Sequence, residues 1–276
     1  MTGPSRFKGD PRAGYSPIEV LMTVTVMAVL TFTAIDLFND SIEEARFEQT
    51  RQQLERIRVG LVGDPVVREN NVRSSFGYVG DVGAFASALA DLLTRPPAIA
   101  AYAISSSARF GTGWNGPYVS ASVGTANVST DAWGTALVYS SSASAATLTS
   151  RGSDKVAGTT GGTYSQDLSV TISSSDFRGT VHGFVNTDGR PYTATTIQVV
   201  LNQPNSATGG VTSTASAVIA TTANGYFSFS NVPYGKRSIT VYLPTQAAPT
   251  TTIGPVVFTL DSANLELSES ALDTNP

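Results

Sequence analysis

One stretch of this chain is apolar on every face. From Val20 to Ile35 each residue is aliphatic, aromatic or threonine, and between Tyr15 and Ile35 the only charge is Glu19. As a helix these 21 residues span about 31 Å at ~1.5 Å per residue, the thickness of a bilayer core. Beyond Ile35 the pattern changes to one face. Phe38, Ile42 and Ala45, then Leu54, Ile57 and Leu61, recur at three- and four-residue spacing. Charges fill the other side, with Arg51 and Glu55 one turn apart, so an amphipathic continuation is predicted. Thr23, Thr25, Thr31 and Thr33 can bond back to carbonyls a turn earlier. Ser41-Ile42-Glu43-Glu44 reads as a capping box and predicts a local break. Leu61-Val62-Gly63-Asp64-Pro65 ends the helix, which therefore covers 15–62 with its membrane part at 15–35.

Downstream the periodicity shortens. Phe76 to Gly83 reads as a glycine-rich loop, and Ala84 to Leu93 as a short helix stopped by Arg95-Pro96-Pro97. Two tryptophan motifs follow, Gly113-Trp114-Asn115-Gly116-Pro117-Tyr118 and Asp131-Ala132-Trp133-Gly134. The second feeds a strand through Tyr139 that Thr147–Ser150 can meet as a hairpin. Both tryptophans are expected to anchor turns over a small sheet. From about Phe177 the chain alternates at strand period: 179–185, 195–201, 226–229, 238–243, 255–260 and 265–267, with Asn224-Gly225 as a turn. Six or seven strands at this spacing predict a β-sandwich.

Composition narrows the chemistry. Cysteine is absent, so no disulfide or thiolate site exists, and stability rests on packing or on a hard metal ion. The net charge is −4 with no long basic run, which gives a nucleic-acid role no electrostatic support. His182 is the only histidine and has no acid or serine nucleophile near it in sequence. No glycine-rich phosphate loop follows a strand, so no enzyme activity is expected.

The segment before the apolar run carries Arg6, Lys8 and Arg12 and ends in Gly14. A secretory signal would be cut after its apolar part, whereas the small-residue site here lies before it, so the helix would survive processing. Cleavage after Gly14 would give Tyr15 a free amine able to pair with Glu19 of a neighbouring subunit. The plainer reading of Glu19 is a carboxylate at headgroup level beside a simple anchor.

Gly14-Tyr15-Ser16-Pro17-Ile18-Glu19-Val20-Leu21 resembles the class III signal of type IV pilins and pseudopilins. The resemblance implies cleavage after Gly14 by a prepilin peptidase, methylation of Tyr15, and an assembly role for Glu19. The chain departs from the family in Tyr15, usually phenylalanine, and in Pro17, usually aliphatic. A first-turn proline loses no hydrogen bond. Trp-x-Gly-Pro-Tyr followed by Asp-x-Trp-Gly is similar to the major pseudopilin of type II secretion, over roughly residues 10–168. In that family the loop after the hairpin wraps calcium, which makes Asp154 and Asp167 the candidate Ca²⁺ ligands; the alternative is a solvated turn. Lys155 stands where the family tends to have glycine. Residues 222–229 and 232–235 resemble the carboxypeptidase regulatory-like (prealbumin-like) sandwich. Tyr226, Tyr234 or Tyr242 could stack on a sugar there or simply pack.

Together these imply an α+β chain: a leader at 1–14, a long transmembrane and amphipathic helix packed on a small antiparallel sheet in a pilin fold (head, 63–176), an all-β prealbumin-like sandwich (177–270), and a tail at 271–276. The implied function is a structural subunit of a type II secretion pseudopilus. It would sit as a single-pass protein of a bacterial inner membrane, with its C-terminal domains in the periplasm or displayed on the filament. Its implied partners are copies of itself, the prepilin peptidase, other pseudopilins and the inner-membrane assembly platform. The alternatives are a pilus-like surface filament whose sandwich binds a glycan or protein ligand, and a membrane-anchored binding domain that never polymerises.

Overall fold

The structure is a computed structural model that describes residues 15–120, 128–158, 162–268 and 272–274, excluding the side chain of Asp36. Gly14 and the basic leader residues lie outside the described residues. The chain has an α+β layout, one long N-terminal helix followed by a largely β region of antiparallel sheets. It divides into two compact units, the first ending at Glu48 and the second beginning at Gln49.

Helix α1 runs from Pro17 to Val62. Within the first unit it is long and apolar enough to cross a membrane, and its most apolar window buries nothing against the protein. Thr23, Thr25, Thr31 and Thr33 donate their hydroxyls to carbonyls three or four residues back, so these polar groups need no water. The break predicted at Ser41 does not occur: α1 passes through Ser41–Glu44 as helix. Glu43 there pairs with Arg46 at 2.9 Å, an ordinary surface pairing within a continuing helix.

In the second unit the helix presents Leu54, Ile57, Leu61 and Val62 to a core. Each fully buried aliphatic of this kind contributes about 1.5–3 kcal/mol. Packed on them is α2 (Gly77–Val82), where a glycine-rich loop was expected. The segment is helical because Tyr78, Val79 and Val82 share one buried face. It stops at Gly83, whose φ of 90° closes the last turn in the left-handed region. The predicted helix at 84–93 shrinks to one 3₁₀ turn, Leu89–Leu92.

The strands of three or more residues begin with an antiparallel sheet of β1 (Val138–Ser141), β2 (Ala145–Ser150) and β3 (Leu168–Ser173). The expected hairpin is present, with Val138 opposite Thr149 and Tyr139 opposite Leu148. Leu148 and Ile172 join the helical residues in the first core.

Among the described residues, seven strands of three or more residues build the rest. One sheet has the order β6 (Val211–Ala215), β5 (Gln198–Pro204), β8 (Gly235–Leu243), β9 (Thr251–Leu260). The other has the order β7 (Tyr226–Pro233), β4 (Arg178–Phe184), β10 (Asn264–Glu266), with β10 parallel to β4. Val181, Phe227 and Phe229 from one sheet and Val199, Leu201, Ile239, Val241 and Leu260 from the other share a second core. β6 is absent from the strands read in the sequence, since Val211-Thr-Ser-Thr-Ala has only one large apolar residue; pairing with β5 holds it.

Candidate functional site

At the start of α1 the sequence Ser16-Pro17-Ile18-Glu19 folds as a closed capping box. The Ser16 amide donates to Glu19 Oε2 at 3.0 Å, and the Glu19 amide donates to Ser16 Oγ at 3.3 Å. Pro17 occupies the first helical position, where its missing N–H costs nothing. The carboxylate also sits at the positive end of the helix dipole. Glu19 therefore has a role within its own chain, and Tyr15 stands exposed one residue outside the box.

The first tryptophan motif folds over α2. Trp114 Nε1 donates to the Asp91 carbonyl at 2.8 Å, and the Tyr118 amide to the Leu92 carbonyl at 2.8 Å. Tyr118 Oη donates to Asp81 Oδ2 at 3.0 Å and accepts from the Asn115 amide. Burial pushes the Asp81 carboxyl up to about 6, against the opposing effects of the Tyr118 hydroxyl and the Arg237 guanidinium. Burial, with the charge of Asp81, likewise raises Tyr118.

In the second motif Asp131 is the organiser. Its Oδ1 accepts from the amides of Trp133 and Thr135, and its Oδ2 accepts from Ser150 Oγ at 2.6 Å. The Thr50 hydroxyl accepts from the Ala132 amide, and Gln53 Nε2 donates to the Thr130 carbonyl, which fastens this turn to α1. Both motifs are thus structural turns.

The acidic loop between β2 and β3 carries Asp154 and Asp167, and among the described residues no group of three or more histidine, aspartate or glutamate side chains gathers there. Asp154 Oδ1 accepts from the Val156 amide and Asp167 Oδ2 from the Gly158 amide, each at 3.0 Å. Asp167 Oδ1 is buried without a hydrogen-bond partner. Gly152 holds the loop ends together at φ 67°, where a Cβ would lie 2.7 Å from the Tyr164 carbonyl and 2.8 Å from that of Gln166. The ligand atoms that Asp154 and Asp167 could offer are carboxylate oxygens, the type a hard cation takes. Lys155 has φ 64°, a left-handed conformation that favours glycine.

On the sandwich, Tyr234 is buried and donates its hydroxyl to the Ser175 carbonyl, so it is not open to stacking. Tyr242 is half-buried. Tyr226 is exposed and packs against Phe184 with ring centroids 5.3 Å apart. His182 on β4 lies in register between Ser228 on β7 and Glu266 on β10, a row invisible in the sequence. Among the described residues no side-chain hydrogen bond joins these three, which stand side by side through the backbone register of the strands.

Comparison with protein-family models, curated proteins and solved structures finds no match.

What the sequence reading missed is Arg237, 1% exposed yet charged. Its guanidinium donates to the carbonyls of Pro233, Tyr234, Lys236 and Gly80. Burial lowers it to about 9, so it stays protonated at neutral pH. Only its place in an alternating strand, at a position that proves to face inward, could have drawn attention to it.

Proposed function

We propose that this chain is a structural, pilin-like subunit. Prepilin peptidase removes the leader after Gly14, Tyr15 is methylated, and α1 then assembles copies into a type II secretion pseudopilus. The observation that carries the reading is the start of α1: a membrane-length apolar helix, unburied by its own protein, opened by a box that holds Glu19 at its first turn. Apolar side chains from Ile18 to Ile35 need a partner that is not water, either lipid or neighbouring helices. In the filament, Glu19 has lone pairs beyond the one used by Ser16 and pairs through them with the Tyr15 amine of a neighbour.

The head is read as pilin-type and the strands from Arg178 onward as a prealbumin-like sandwich. In the acidic loop, Asp154 and Asp167 would hold Ca²⁺, with Asp167 Oδ1 as the oxygen lacking a partner. Bound calcium would supply a rigid cross-link between the loop ends and no reaction step.

Intact-mass analysis of protein extracted from membranes tests the processing. The expected species begins at Tyr15 and carries one methyl group. Recovery of the unprocessed chain, with unmodified Tyr15, would overturn the filament reading and leave a membrane anchor.

A further inference from the structure

The smaller sheet of the sandwich is bordered on one side by residues 263–268 and 272–274. β10 lies parallel to β4, with Asn264 opposite Thr180 and Glu266 opposite His182. The Thr180 amide donates to the Ala263 carbonyl, the Leu267 amide to the His182 carbonyl, and the Thr274 amide to the Asn186 carbonyl. Leu267 and Leu272 are buried in the second core. Asp273 Oδ1 accepts from the Asp188 amide at 3.1 Å, and Oδ2 from the Gly189 amide at 2.9 Å. The receiving surface is shaped to let this backbone approach. A Cβ on Gly179 would lie 2.4 Å from the Ser262 carbonyl oxygen and 3.0 Å from that of Ala263, and one on Gly183 would lie 3.4 Å from Leu267 Cβ. All of these residues belong to the second compact unit.

Together these features make a groove for an extended peptide. The β4 edge supplies main-chain partners, the second core supplies sockets for two leucines, and a pair of amides takes a carboxylate. The segment that fills it is joined to β9 only by residues 261–263. Ser262 and Ala263 are exposed there, and the Asp261 carboxylate stands 3.9 Å from Arg68 at the surface. The ladder is three residues long and parallel, the weaker kind of pairing. The hold therefore lies in the sockets and the amide clamp, beyond a short exposed connection. The same segment of another copy can make every one of these contacts, so exchange costs association and a rearranged connection but no bond. A vacated β4 edge, with its amides and carbonyls unpaired, is a template for a new strand. We propose that copies of this chain exchange residues 263–274, the Leu267, Leu272 and Asp273 of one copy filling the groove of another. The occupant is a second copy because the groove matches these three side chains in order and spacing. The inference stands whether or not α1 assembles a filament.

The test uses two contacting hydroxyls, those of Thr187 and Thr274, in a chain that has no cysteine of its own. Full-length Thr187→Cys and isotope-labelled Thr274→Cys are mixed in detergent, incubated and mildly oxidised, and the disulfide-linked dimers are weighed by mass spectrometry. The expected result is a heterodimer in excess of the statistical mixture. Leu272→Asp in the Thr274→Cys chain should cut that excess by about tenfold or more, the weight of one lost leucine socket. The same change in the Thr187→Cys chain should leave it intact or raise it, because that chain's own segment is loosened and its groove is freed. Asp273→Asn in the Thr274→Cys chain, a milder change, should give a smaller loss, and melting temperatures confirm that each variant is folded. All three dimers in statistical proportion, as contact through α1 alone would give, overturn the proposal. So does an excess that Leu272→Asp lowers equally in either chain. A chain carrying both cysteines that closes only on itself, with no heterodimer from the mixture, shows a fixed internal strand and also overturns it.

Discussion

Arg237 Nη2 donates to the carbonyl of Gly80 at 3.1 Å, joining strand β8 of the sandwich to helix α2 of the first core. The same nitrogen also donates to the Tyr234 carbonyl. One fully buried guanidinium thereby satisfies carbonyls on two elements that lie far apart in sequence. Further bonds cross the same boundary: the Ala100 amide donates to the Thr208 carbonyl, and the Tyr234 amide to the Phe177 carbonyl. Arg73 lies 5.8 Å from the Tyr234 ring centroid. The sandwich is therefore fastened to the first core by polar bonds, those of Arg237 and Tyr234 buried and that of Ala100 at the surface.

Removing this guanidinium strands several buried carbonyls at once. Arg237→Ala should lower unfolding free energy by about 3 kcal/mol or more, given ~1–3 kcal/mol for each buried group left unsatisfied. Arg237→Lys should recover little, because an ammonium cannot reproduce the planar fork. Urea denaturation of the three proteins checks both statements.

Asp81 should make stability depend on pH. Its carboxyl is raised by burial from the ordinary 3.8 to about 6, so the folded state holds this proton more tightly than the unfolded state does. The contribution is fully present below about pH 4 and is lost as pH rises through about 6. Its size is on the order of 2–3 kcal/mol at ~1.4 kcal/mol per pKa unit. Asp81→Asn should flatten that part of the stability-against-pH curve. A curve unchanged by the substitution would show that Asp81 titrates normally.

Glu19 serves a cap, and in the proposed filament also an intersubunit charge pair. Glu19→Gln keeps an acceptor for the Ser16 amide but removes the charge. It should abolish cross-linking between neighbouring N-terminal helices while leaving the first turn of α1 protected from amide exchange. Ser16→Ala should do the reverse, loosening the turn by about 1 kcal/mol with assembly retained. If both variants assemble normally, the charge pair is not needed.

For the acidic loop, Ca²⁺ should raise the melting temperature of the parent protein, and Asp167→Asn should remove that rise. A parent protein indifferent to calcium and chelator would identify the loop as a plain turn. Lys155→Gly should stabilise the protein by about 1 kcal/mol with or without the ion, since it relieves a left-handed backbone at a residue with a side chain.

Much of the architecture is local and was readable from residue order. The unbroken apolar run to Ile35 points to a helix by its length, the three-to-four spacing of Leu54, Ile57 and Leu61 by its period, and period-two alternation announces most strands. The hairpin of β1 and β2 and the Asn224-Gly225 turn, where both residues have positive φ, are likewise set by neighbours in sequence. Tertiary structure decided the rest. Ser41–Glu44 has the residues of a cap yet stays in the helix. Phe76–Gly83 is rich in glycine yet becomes α2, because burying Tyr78, Val79 and Val82 outweighs weak helix propensity. Arg237, the row Ser228–His182–Glu266 and the groove along β4 each assemble residues from distant positions. Which carbonyls meet a guanidinium, or which segment covers a strand edge, depends on how sheets and helices pack, and no local pattern encodes that.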